Sequence, residues 1–402
     1  MGYLLQNGGL GMAGDWIITG GRPLQGRVEV PAAKNSVLPL LAAALLCSGP
    51  VRLQNVPRLT DVEDCLALLR GVGCTAGWQG AALAVQGQPM RTDLAPEAAG
   101  RMRASILFCA PLLAKLGRAE TNLPGGCRIG ARPIDLHLAG LRQMGAVEWD
   151  AGPGRLVLTA PSGLHGAEIT LRFPSVGATE TLLMAAAAAR GETVLRGAAV
   201  EPEVTDLARF LQGAGADITG VGTRVLHIRG RELLMGTQHA VCPDRITAAT
   251  VLCAVAGCGG EVLLTNTCNA HLAEVLRILR RAGCMVSASG DSSVALASSG
   301  ALRAAGGWDT GVYPSFPTDA APLMAAALLR GDVAGAFYYN PFTLLLGTGC
   351  ALWLLWLGAR TFRKRWSPPR LPTDSRWWLL IPCLVGAFWV ARNLPVYQRF
   401  FF

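Results

Sequence analysis

Four copies of one short pattern, spaced about seventy residues apart, constrain this 402-residue chain more than any other feature. Each copy is a leucine-bearing helical segment that stops at a glycine, with Ala or Cys next. The copies read Leu68-Leu-Arg-Gly-Val-Gly73-Cys74, Leu141-Arg-Gln-Met-Gly145-Ala146, Leu211-Gln-Gly-Ala-Gly215-Ala216 and Leu279-Arg-Arg-Ala-Gly283-Cys284. A glycine just past a helix takes the left-handed position that ends it, because it has no Cβ to clash there. A chain that repeats this stop, with a strand after each, builds from equivalent βα units rather than from one irregular core.

A second, more apolar set of helices alternates with the first, over residues 34–46, 103–116, 179–190, 245–256 and 318–329. They are apolar on nearly every face, which predicts core helices. The amphipathic segments 61–69 and 204–211 are predicted as surface helices. Alternating runs such as Arg155-Leu-Val-Leu-Thr and Arg224-Val-Leu-His-Ile read as strands. The fold class is mixed α/β. Continuing the period asks for a fifth capping glycine near residue 352, where Thr348-Gly-Cys-Ala-Leu-Trp-Leu-Leu-Trp-Leu357 has no repeat character.

A net charge of +9 suits anionic small molecules. Nucleic acid is disfavoured, since no basic stripe interleaved with aromatics occurs before residue 360. The twelve cysteines stand singly, mostly in apolar runs, with no Cys-x-x-Cys pair. That argues against a metal site and for small buried hydrophobes in a reducing, cytoplasmic setting. The five histidines lack ligand spacing and read as structural. No cofactor is expected, and nothing in the pattern points to an oligomeric state.

The chemistry concentrates in Leu123-Pro-Gly-Gly-Cys127-Arg-Ile-Gly-Ala-Arg132-Pro-Ile-Asp135-Leu-His137. Two glycines precede a cysteine, and fixed cationic charge lies close by, which favours proton exchange near neutral pH. This segment resembles the active-site loop of the UDP-N-acetylglucosamine enolpyruvyl transferase family, and the resemblance spans residues 13 to 330. It implies two inside-out α/β barrels of three units each. Residues 34–241 then form a complete first domain, and residues 13–33 with 242–330 form a second domain that lacks about a third of itself. Residues 1–12 read as a non-native extension, with Met12 the better start.

The resemblance also implies the reaction: transfer of the enolpyruvyl group from phosphoenolpyruvate to the 3-hydroxyl of UDP-N-acetylglucosamine, with release of phosphate, opening peptidoglycan synthesis in the cytoplasm. By their places in the family motifs, Cys127 is the candidate acid, Asp319 in Phe316-Pro-Thr-Asp319 the candidate base, and Lys34 with Asn35 the phosphoenolpyruvate pair. Arg103 and Arg132 would meet the phosphates. Arg132, Pro133, Ile134, Asp135 and Leu136, and Phe173, Pro174, Ser175, Val176 and Gly177, would hold the uridine diphosphate. Asp244, Arg245 and Glu201 would support the site. Two departures stand out. Ala32-Ala33 replaces the family's Gly-Ala before the lysine, and nothing after residue 330 matches the family's late arginines.

The tail, 331–402, has a different character. Residues 341–359 carry no charge and, at 1.5 Å per residue, span about 28 Å. Residues 377–391 are a second apolar run, and a basic stretch around Arg363, Lys364 and Arg365 separates the two. The pair reads as a hydrophobic helical hairpin, a candidate for inner-membrane association through residues 341–391. Its lead-in resembles a small, uncharacterised family of bacterial membrane proteins. Two alternatives follow: an inactive chimera of a truncated transferase with a membrane-protein tail, joined near residues 328–332, or the related shikimate-pathway enolpyruvyl transferase, which lacks the Pro-Gly-Gly-Cys loop.

Overall fold

The computed structural model describes residues 22–122 and 134–329. Cys127, Arg132, Pro133, residues 1–12 and both tail segments lie outside them. The four glycine stops form as expected. Gly73, Gly145, Gly215 and Gly283 all have φ between 96° and 107°. The next residue's N–H reaches back to a leucine carbonyl in every copy: Cys74 to Leu69 at 3.0 Å, Ala146 to Leu141 at 2.9 Å, Ala216 to Leu211 at 2.9 Å and Cys284 to Leu279 at 3.0 Å. This is the double-bonded helix end that absorbs otherwise orphaned carbonyls.

Around each stop the same βα unit is built. A strand (Val51–Gln54, Arg118–Asn122, Glu192–Arg196 or Gly260–Thr265) leads to the capped helix and then to a hairpin. The second hairpin strand returns antiparallel to the first strand. A parallel strand from elsewhere completes three of the sheets. Glu168–Thr170 joins Glu192–Arg196, Gln238–Ala240 joins Val51–Gln54, and Leu24–Glu29 joins Gly260–Thr265. In the remaining sheet a single bridge, Asp93 to Glu120, stands in that place.

The buried side chains fall into two clusters. One runs from Ala32 to Val241, and the other joins Val30 to residues between Ala248 and Leu328. The chain therefore passes between clusters twice, and the two passages lie side by side. Ala33 N–H donates to Cys242 O and Asp244 N–H to Pro31 O, each at 2.8 Å.

Three corrections concern helices. The expected 103–116 helix splits into a 3-10 turn, Arg103–Phe108, and an α-helix, Cys109–Leu116. Pro111 has no N–H to give Leu107, so it fits only the first turn of a new helix. The segments expected at the surface are largely buried: Asp64 in Thr60–Gly71, and Glu203 and Asp206 in Pro202–Gly213. Their carboxylates tolerate burial because each has donors, as the amphipathic pattern cannot reveal. Conversely, Arg245–Cys258 is not buried all round. Thr250, Ala254 and Cys258, one stripe at i, i+4 and i+8, are exposed. No described residue covers that stripe.

Among the described cysteines, Cys47, Cys65, Cys74, Cys109, Cys253 and Cys284 are buried, while Cys258 is exposed. Burial pushes the Cys47, Cys109 and Cys253 thiols up to about 12, which leaves them inert hydrophobes. Among the described residues, no helix is long and apolar enough to cross a membrane.

Candidate active site

A cleft of about 920 Å³ opens between the two clusters. The first cluster contributes Lys34, Asn35, Arg103, Glu201 and the run Phe173, Pro174, Ser175, Val176, Gly177; the second contributes Arg245, Tyr313 and Asp319. Residues more than two hundred positions apart thus share one cavity.

Lys34 and Asn35 open the Lys34–Ala43 helix. No side chain caps it, and Ala33 before it is extended, at φ −69° and ψ 117°. That conformation suits alanine, so the Ala-Ala departure introduces no strain there. A bare helix N-terminus carries partial positive charge and free donors, the setting an anion needs. The Lys34 ammonium rests on Asp61, which also lines the cleft, at 2.7 Å. Ser175 caps the Val176–Ala187 helix. Its hydroxyl accepts from Ala178 N–H at 3.4 Å, and the Thr179 hydroxyl donates to the Ser175 carbonyl at 2.8 Å. Phe173 presents a ring 55% exposed at this edge.

Asp319 lies in the 3-10 turn Thr318–Ala320, which leads into Ala321–Leu329, and its side chain is exposed to the cleft. Opposite charge comes from Arg245, whose guanidinium grips Glu203 with Nε at 3.0 Å and a terminal nitrogen at 3.2 Å. This ion pair joins the two clusters and is well buried, with side chains 12% and 5% exposed. Arg245 also lies 5.7 Å from the centre of the Tyr313 ring.

Not every expected residue lines the cleft. Ile134, Asp135 and Leu136 form the start of the Asp135–Gln143 helix, and it is His137, the next residue, that reaches the cavity. Asp135 is instead paired with Arg172. Asp244 caps the Arg245–Cys258 helix, accepting from Ile246 N–H at 2.8 Å and Thr247 N–H at 3.0 Å.

Sequence reasoning did not single out Glu180, which is 4% exposed and lines the cleft. Burial, then Glu203 and Glu201, push its carboxyl well above the usual range. Its signal was available: it is the one charged residue in a mostly apolar helix. Glu201 is also buried. Its Oε1 accepts from Tyr313 N–H at 3.4 Å, and its Oε2 has no partner among the described residues.

His137 is buried as well, with Nδ1 2.8 Å from the Thr181 hydroxyl. Burial, then the Arg103 charge, lower its pKa to about 4. A histidine held neutral in the fold binds a proton more readily once unfolded, where its pKa is near 6.5. Its contribution is therefore intact above pH 6.5 and is lost as pH falls toward 4. Between pH 7 and pH 4 the wild-type chain should lose about 3 kcal/mol more stability than His137→Asn. Urea midpoints at the two pH values measure this, and equal losses in both proteins would refute it.

The architecture places the chain among known folds. The enolpyruvyl transferase NikO from Streptomyces tendae superposes with a TM-score of 0.68 at 25% identity, covering 77% of this chain and 73% of that one. EPSP synthase from Acinetobacter baumannii, at 22% identity and a TM-score of 0.56, shares the fold. The family model for EPSP synthase (3-phosphoshikimate 1-carboxyvinyltransferase) matches residues 18–335. The chain belongs to this enolpyruvyl transferase family. Among curated relatives, UDP-N-acetylglucosamine 1-carboxyvinyltransferase 2 of Carboxydothermus hydrogenoformans is 43% identical over 314 residues, which are 78% of this chain and 74% of the relative. The UDP-N-acetylglucosamine 1-carboxyvinyltransferase of Gluconacetobacter diazotrophicus is 46% identical over 309 residues, 76% of this chain and 72% of that protein.

Proposed function

We propose that the chain transfers the enolpyruvyl group of phosphoenolpyruvate to the 3-hydroxyl of UDP-N-acetylglucosamine in the cytoplasm, releasing phosphate. The observation that carries this is a single cleft gathering Lys34, Asn35, Arg103 and Asp319 from two core clusters. The names of relatives at 43% and 46% identity support the nucleotide sugar as acceptor. The two clusters support residues 34–241 as one transferase domain, with 13–33 and 242–330 as a second, incomplete one.

The bond changes assign the roles. The sugar oxygen attacks C2 of phosphoenolpyruvate while C3 takes a proton, and Asp319 accepts the hydroxyl proton. Cys127 is the proton source for C3. Phosphate then leaves C2, and loss of a C3 proton restores the double bond. Lys34, Arg103 and Arg132 balance the charge of phosphate and carboxylate. Lys34 must exchange Asp61 for substrate, and at 44% exposure it is free to turn. Asn35 and the amides of the first helical turn meet the same anion. The 173–177 segment, which lines the cleft, holds uridine diphosphate, with Arg245, Asp244 and Glu201 supporting the walls.

Phosphate release, measured with phosphoenolpyruvate and either UDP-N-acetylglucosamine or 3-phosphoshikimate, tests this. The nucleotide sugar should support release, and Cys127→Ser should lower it roughly 10²–10⁴-fold. Release with 3-phosphoshikimate alone would reassign the acceptor. Binding of UDP-N-acetylglucosamine with no release would identify an inactive relative.

A further inference from the structure

The Pro202–Gly213 helix grips the place where the chain passes between clusters. Its Asp206 side chain is buried, 6% exposed. It meets three polar groups from three separate elements. The Ser36 hydroxyl donates to Oδ2, Cys242 N–H donates to the same oxygen at 3.2 Å, and His239 Nε2 lies 2.9 Å from Oδ1. Ser36 belongs to the first turn of the helix that begins with Lys34 and Asn35. Cys242 begins the passage that ends in Asp244 and Arg245. One turn back on the same helix, Glu203 holds Arg245. Residues at i and i+3 of a helix share a face, so a single helical face clamps both ends of this passage.

We propose that Asp206 is a positioning residue, fixing Lys34 and Asn35 on one wall of the cleft relative to Arg245 on the other. It acts through Ser36 and Cys242 and meets no substrate itself. The inference rests on the reading above that Lys34 and Asn35 bind phosphoenolpyruvate. Its geometric part stands independently: the two passages are bonded to each other through Ala33 and Asp244, and Asp206 pins them to the first cluster.

Geometry and charge can be separated by substitution. In Asp206→Asn the amide oxygen still accepts from Ser36 and Cys242, and the amide nitrogen donates to His239, whose ring adopts the other tautomer. Asp206→Ala leaves those partners unmatched in a buried site. In the full-length chain, Asp206→Ala should raise KM for phosphoenolpyruvate about tenfold. KM for UDP-N-acetylglucosamine should hardly move, and Asp206→Asn should restore both.

Hydrogen exchange provides a readout that does not depend on turnover. Asp206→Ala should speed exchange of the Ala33 and Asp244 amides about tenfold, with strand Arg118–Asn122 unaffected. Asp206→Asn should leave all of them at the wild-type rate. Wild-type rates at Ala33 and Asp244 in Asp206→Ala would overturn the proposal. So would an equal rise throughout the chain, loosened amides with an unchanged KM, or an Asn variant as impaired as Ala. If the wild-type chain turns over no substrate, the functional reading fails, and exchange still decides whether Asp206 pins the passage.

Discussion

Asp319→Asn should lower kcat for enolpyruvyl transfer by roughly 10²–10⁴-fold while leaving the fold intact. The carboxylate sits on an exposed turn at the mouth of the Ala321–Leu329 helix and faces the cleft. Asparagine keeps its shape and its acceptor oxygen but cannot take a proton from a sugar hydroxyl. A helix-end acid that served only the dipole would contribute about 0.3–1 kcal/mol of stability and little to turnover. The two roles therefore separate cleanly. Steady-state phosphate release gives kcat, and thermal unfolding gives the stability change. A variant with near wild-type turnover and a lowered melting point would remove Asp319 from the chemistry.

Arg245→Ala should be the most destabilising single change at the cleft, at about 3–5 kcal/mol. The guanidinium is nearly enclosed and is bonded twice to Glu203, which is almost fully buried. Its removal leaves the Glu203 carboxyl buried without that partner, beside Glu201 and a Glu180 carboxyl pushed up by burial and by both neighbours. Replacing both partners, as Arg245→Met with Glu203→Leu, should recover much of the loss, because no buried charge is then stranded. Urea unfolding of the single and double variants measures this. A double variant no better than the single would contradict it.

Much of the architecture was legible because its signals are local. A glycine four residues beyond a leucine needs only its own turn to form, and all four such turns form alike. The candidate site was legible by motif in Lys34, Asn35, Arg103, the 173–177 run and Asp319, all of which line the cleft. It was less legible where a residue's role depends on its neighbours in space. Ile134, Asp135 and Leu136 do not line the cavity, whereas the adjacent His137 does. Glu180 was passed over as part of an apolar helix. Asp206 belonged to a helix assigned to the surface, because a periodic pattern records how many apolar faces a helix has but not which polar residues find donors.

By itself the sequence determined the βα unit, its repetition and the ends of its helices. These depend on φ preferences and hydrogen bonds spanning about six residues or fewer. Only the tertiary structure decided that Gln238–Ala240 pairs with Val51–Gln54, that the two passages between clusters run side by side, and that Asp206 and Glu203 clamp them from one helical face. Those contacts join residues far apart in the chain. Their energy comes from desolvating charged groups only where partners meet them, which is set once the units have packed.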